Sequence, residues 1–176
     1  MAGTHPPSEE VEQYWIYAQG DRQDYYEAHD VLKQKDMTAN DIPESDNDTV
    51  RELDEEALQH DSPTSLSGKW NVFLKPAEID DVWGYVTELV KENEIYSAKV
   101  TAKYGREEEN RGNHVIVVYT PNYFDKEDVF RVRELLRNKC GIEETLYYKP
   151  DIYTRKGIYA DTAQERGLPG ASRYFG

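Results

Sequence analysis

The chain has 176 residues, the length of one ordinary domain, and its 38% apolar and 32% charged residues suit a polar protein that still folds. No stretch approaches the roughly 18 uninterrupted apolar residues of a bilayer span, so no membrane role is expected. A single cysteine, Cys140, excludes a disulfide framework and a thiolate metal cluster. The opening MAGTHPPSEEVEQ lacks the basic start and apolar stretch of a secretory signal, so the cytoplasm is the expected location. The net charge of −14 is unevenly spread: residues 1–68 hold 17 Asp/Glu against 4 Lys/Arg, and residues 69–176 hold 18 against 17. An anionic segment repels phosphates, which argues against a broad nucleic-acid-binding face in the first third. That segment reads as a solvating tail or an adaptation to a salty cytoplasm, with an arm that mimics nucleic acid or shields a basic site on its own domain as the sharper alternative.

Residues 1–10 look disordered, and Tyr14-Trp15-Ile16-Tyr17 is a short aromatic run with strand propensity, closed by Gly20 and expected to pack on the main domain, since it is costly to leave in water. Residues 36–66 read as a linker rich in Asp, Glu, Ser, Asn and Pro, with one helix possible across Val50 to Leu58. Residues 1–67 are therefore expected to form an acidic, partly disordered N-terminal arm with an aromatic strand near 13–18. Residues 68–176 are expected to form the folded domain. There Lys69 to Leu74 predicts a strand stopped by Pro76. Ile79, Val82, Trp83, Val86 and Leu89 recur at helical spacing. Ile95 to Lys103 predicts a second strand, GREEENRGN a hydrophilic loop, and His114 to Tyr119 a central strand buried on both faces. Asp125 is placed to cap a second helix, which carries Val129, Val132 and Leu136 and ends at Gly141. Leu146 to Lys149 predicts a fourth strand and Ile152 to Tyr159 a fifth. The order β-α-β-β-α-β is that of an α+β fold, a largely antiparallel sheet with two helices on one face.

Neither a cofactor nor a metal is expected: GxxxxGK[ST], GxGxxG, HExxH, CxxC and GxSxG are all missing, and His5, His29, His60 and His114 are scattered. Two features could carry chemistry. From Leu146 onward five tyrosines accompany Lys149, Arg155, Lys156, Arg166 and Arg173 against three acidic residues. Cations beside aromatic rings suit phosphate or nucleotide recognition, and they equally suit half-buried tyrosines with basic stems laid over them. Lys99 lies mid-strand between Ala98 and Val100, where desolvation would lower its pKa and make it a usable base. Trp70 and Trp83 read as core residues, with stacking as the alternative.

HVIVVYTPNYFDKEDVFRVRELL from His114, LYYKPDIYTRKGIY ending at Tyr159, GKW at Gly68–Trp70 and AKV at Ala98–Val100 together resemble the basophilic-leukaemia-expressed (Bles) protein family, a domain of unknown function. That resemblance implies the fold of the cap-binding 4E-type translation initiation factors, whose best-known members hold a methylated nucleotide between two tryptophans. The order of elements also resembles that of the bacterial phosphothreonine lyases, which remove phosphate by β-elimination. This second resemblance implies Lys99 as the base, Tyr119 on the following strand, and phosphate-binding arginines at Arg111 and Arg155. The lyases' acid histidine follows a Lys-aromatic pair, here Lys69-Trp70, and that position is Asn71. An amide cannot act as a general acid near neutral pH, which leaves His114 on the neighbouring strand as the substitute.

The expectation for function is a phosphate-recognising domain of the lyase type, with Lys99 and His114 as catalytic residues. Lys69, Asn71, Arg111, Tyr119, Lys149, Tyr153 and Arg155 would surround the ligand. The alternative is a non-enzymatic RNA or nucleotide binder, and a third reading makes the acidic arm a protein-interaction module. The expected partner is accordingly a phosphorylated peptide, or a nucleotide or RNA.

Overall fold

Residues along one strand alternate between the two faces of a sheet, and the strand from Gly68 shows this alternation cleanly. In the computed structural model, which describes residues 5–60, 62 and 64–176, Gly68, Trp70, Val72 and Leu74 are buried, while Lys69 and Asn71 are half-buried and Phe73 is exposed. The elements run β1 (Trp15–Gln19), α1 (Arg22–His29), α2 (Asp48–Gln59), β2 (Gly68–Leu74), α3 (Pro76–Lys91) and β3 (Ser97–Thr101). They continue with α4 (Lys103–Glu108), β4 (His114–Thr120), α5 (Lys126–Asn138), β5 (Tyr147–Pro150), α6 (Asp151–Arg155) and β6 (Tyr174–Phe175). The six strands form one antiparallel sheet in the order β1-β3-β4-β2-β5-β6. The fold is α+β, and its core contains the expected order of strands and helices.

The two long helices supply most of the cover for one face. Helix α3 starts with Pro76 at its first position, where the missing N–H costs nothing, and buries Ile79, Val82, Trp83, Val86 and Leu89. Asp125 caps α5 by accepting from the Asp128 N–H at 3.1 Å, and Val129, Val132 and Leu136 face inward. The Trp70 indole donates to the Val129 carbonyl at 3.0 Å, which seats α5 directly on β2. Gly68 lets Tyr148 lie across the same face: a Cβ at this position would fall within 2.6 Å of two carbons of that buried ring.

The acidic segment is not a detached arm, which corrects the division at residue 67 for the residues described. β1 pairs with β3, Trp15 opposite Thr101 and Gln19 opposite Ser97, and forms the outer strand of the sheet. In α2, Val50, Leu53 and Ala57 join the same core cluster as Trp70. Fully buried Asp54 accepts from the Tyr123 hydroxyl at 2.7 Å and pairs with Arg173 at 3.2 Å, tying α2 to the end of the chain. Tyr25 of α1 donates to Asp128 of α5 at 2.8 Å. Apart from Asp54, the acidic side chains of α1 and α2 sit on the outer faces of these helices, so average composition hid an amphipathic pattern. The disorder expected over residues 1–10 falls at 1–4 outside the described residues. At 6–10 the chain turns, with Glu9 and Glu10 donating to the Pro6 carbonyl and Ser8 bound to Asp80.

Three local readings change as well. The fifth strand expected over Ile152 to Tyr159 is instead the short helix α6, which buries Ile152 and Tyr153. The hydrophilic loop after β3 contains α4. β4 is buried on both faces only at Val117, since Val115 and Tyr119 remain half-buried.

Candidate functional site

The second face of the sheet collects the other half of each strand. Register places Ser97, Tyr119, Lys69 and Lys149 side by side across β3, β4, β2 and β5. The next row reads Tyr17, Lys99, Val117, Asn71 and Tyr147 across β1, β3, β4, β2 and β5. Three lysines from three strands thus stand on one face with Asn71 and Tyr119. This face is open to solvent: Tyr17 is 62% exposed, Tyr147 55% and Phe73 50%. The structure therefore brings together Lys69, Asn71, Lys99, Tyr119 and Lys149.

The three ammonium groups have different surroundings. Lys69 is neutralised by Asp151 at 2.5 Å and donates to the Thr154 hydroxyl at 2.8 Å. Lys99 and Lys149 make no ion pair among the described residues. Rings back them instead: the Lys99 Nζ lies 4.1 Å from the centre of the Trp15 ring and 6.0 Å from that of Tyr119. The Lys149 Nζ lies 4.0 Å from the centre of the Tyr159 ring. Such contacts favour the charged form without supplying a counter-ion. Burial, and then the nearby charge of Lys69, push both lysines below the usual range, Lys149 to about 8. Burial, reinforced by Asp151, pushes the Tyr119 phenol up to about 12, so it stays a neutral hydrogen-bond donor. A surface of this kind attracts an anion and offers rings to a planar group.

Three of the sequence candidates, His114, Arg111 and Tyr153, lie elsewhere, and Arg155 borders the cluster without joining it. His114 shares its face with Ile116 and Val118, opposite to Lys99, and its Nδ1 bonds the Thr101 carbonyl at 2.7 Å. Burial pushes its pKa down. It cannot act with Lys99 across the sheet, so an acid and a base do not face one reacting group here. Arg111 follows α4, where its carbonyl accepts from Arg106 and its charge acts on Tyr14, at the Thr101 end of the sheet. Arg155 is at the Gly68 end, with its guanidinium bonded to the Thr64 hydroxyl at 2.7 Å. Lys99 and these two arginines do not converge. Tyr153 is a buried core residue of α6.

The structure adds residues that the sequence did not single out. Beside the lysines, a cavity of about 350 Å³ is lined by Tyr17, Thr64, Tyr96, Ser97, Tyr119 and Asp151 among others. Trp15 and Tyr17 come from the aromatic run near the N-terminus, whose pairing partner is set eighty residues or so downstream. Asp151 follows Lys149-Pro150 directly, and a carboxylate so near the basic stretch was a readable signal. Among the described residues no group of three or more His, Cys, Asp or Glu could hold a metal ion. No described helix is long and apolar enough to cross a membrane.

Solved structures with a similar course of chain include Caenorhabditis elegans eIF4E-3 with the 4E-binding protein Mextli and a cap analog. That likeness has 13% identity and a TM-score of 0.46, covering 86% of this chain and 95% of that one. Schistosome eIF4E complexed with m7GpppA and 4E-BP is similar at 14% identity and a TM-score of 0.46, covering 98% and 99%. Ascaris suum eIF4E-3 with the m2,2,7G cap is similar at 13% identity and a TM-score of 0.42, covering 84% and 91%. The model of the family described as basophilic leukemia-expressed protein Bles03 matches residues 8–157, a span that takes in β1, the three lysines and α6. On that match the chain belongs to the Bles03 family.

Proposed function

We propose that the open face binds a nucleotide, either a nucleoside phosphate or a short single-stranded RNA, without transforming it. One observation carries this reading: in a chain of net charge −14, three lysines from β2, β3 and β5 gather on one exposed face, two of them backed by rings and neither of those two ion-paired among the described residues. Clustering like charges raises the energy of the empty protein, and a bound phosphate relieves it. Lys99 and Lys149 contact phosphate in this reading, Tyr119 donates a hydrogen bond, and an exposed ring such as Tyr17 or Tyr147 stacks on the base. A lyase-type elimination has no support here, because Asn71 occupies the acid position and His114 is on the other face.

The test is titration of the full chain with a 5′-nucleoside monophosphate at low salt, followed by calorimetry or tyrosine fluorescence. Lys99→Ala and Lys149→Ala are each expected to weaken binding about 10- to 100-fold, the weight of a hydrogen bond to a charged group. Added salt weakens it further. Undetectable binding, or binding indifferent to both substitutions, overturns the reading. So does a phosphothreonine peptide converted to its unsaturated product, since that makes the face a catalyst.

A further inference from the structure

A second hollow, of about 490 Å³, opens between α1 and the turn at Pro121, and it shares Arg22 and Pro121 with the cavity beside the lysines. Each is of the size of ordinary ligand pockets, about 300–1,000 Å³, and the shared wall makes them neighbours on one path. The lining of the second hollow includes Arg22, Tyr26, Lys33, Lys35 and Leu66, and it contains no carboxylate. This is unusual for its place in the chain. Residues 1–68 carry 17 acidic residues and only 4 basic ones, and three of those four, Arg22, Lys33 and Lys35, line this one hollow. Lys33 and Lys35 are exposed and make no ion pair among the described residues. Arg22 lies 5.5 Å from the centre of the Tyr26 ring, so a cation and an aromatic face are again presented together.

We infer that this hollow is a second subsite of the same ligand path and receives the next nucleotide of a single-stranded RNA, whose phosphate passes Arg22 and meets Lys33 and Lys35 while its base rests against Tyr26. The inference rests on the reading of the open face as a nucleotide site and narrows the ligand from a mononucleotide to a chain of at least two. Beyond Lys33 two further hollows carry carboxylates, Glu27 and Asp30 in one and Asp30, Asp36 and Asp125 in the other, which repel phosphate and end the path on this side.

The experiment compares uridine 5′-monophosphate with the 5′-phosphorylated dinucleotide pUpU on the full chain, at one salt concentration. The dinucleotide is expected to bind at least tenfold more tightly. The exposed pair Lys33→Glu/Lys35→Glu is expected to remove that gain and leave mononucleotide affinity unchanged, and Tyr26→Ala to remove part of it. Equal affinities for the two ligands, or a gain that survives the double substitution, overturns the second subsite while the open face stands. Dinucleotide binding that survives Lys99→Ala but not the double substitution overturns the open-face reading and keeps the second hollow. Binding of neither ligand overturns both.

Discussion

The two faces of this sheet are made by the same strands and differ in almost every physical respect. On the helix side Trp70, Val72, Val100, Ile116 and Val118 are at most 1% exposed. One residue along in each strand stand Lys69, Asn71, Lys99, Val117 and Tyr119, with three ammonium or amide groups among them. A period of two thus lets one segment serve both stability and recognition, because adjacent residues never share a surroundings. The lesson is that stability and ligand binding should respond independently to substitutions one position apart.

The sharpest way to break that contrast is to compare neighbours in β2. Trp70→Ala removes a fully buried ring and its hydrogen bond to Val129, and is expected to cost about 3–5 kcal/mol in denaturant unfolding. Asn71→Ala is expected to change stability by no more than about 0.5 kcal/mol. Comparable losses at both positions would erase the distinction between the faces. A second test uses pH on the open face alone. A bound phosphate favours the ammonium form, so affinity is full below about pH 8 and falls, by about tenfold at most, as pH rises through the pKa of Lys149. Isothermal titration between pH 7 and 9.5 measures this, and Lys149→Arg should flatten the curve, since arginine stays charged.

The smallest effect is on stability and has the opposite sign to the usual substitution. The Lys149 pKa is depressed on folding, so below about pH 8 the folded chain bears the cost of a charged ammonium that the unfolded chain does not feel. Between about 8 and the ordinary lysine value the unfolded chain holds more protons, and stability rises with pH. Lys149→Met should therefore stabilise the protein at pH 7, by about 0.5–1 kcal/mol once solvent screening is allowed for, while weakening nucleotide binding. A loss of stability in thermal unfolding would show that Lys149 is held by contacts rather than tolerated for a ligand.

The parts of this arrangement that were readable in the sequence were local ones. The stripe from Ile79 to Leu89, the cap at Asp125 and the strand from Lys69 each announce themselves within a turn or two of chain. Lys99 was visible for the same reason, as a charge in the middle of an apolar strand. The face of His114 was not, because HVIVVYT is apolar at both parities and only pairing with Leu74 decides which side is covered. Arg111 and Arg155 were placed by resemblance, and both lie outside the strands, where spacing along the chain fixes no direction in space. The helix across Val50 to Leu58 and the aromatic strand were legible in the N-terminal segment, but their membership of one core and one sheet with residues 68–176 was not, because the acidic average reads as an arm and β1 finds its partner only at Ser97–Thr101.

That last pairing has a consequence for synthesis. Trp15 must wait for Thr101 before it has a strand partner, and contacts so far apart in sequence form late. Through that interval an aromatic strand is uncovered on a nascent chain, the condition in which such segments stick to one another. The carboxylates that crowd residues 9–61 surround it with like charge. Like charge of this kind opposes association between chains whose outer strand has yet to dock.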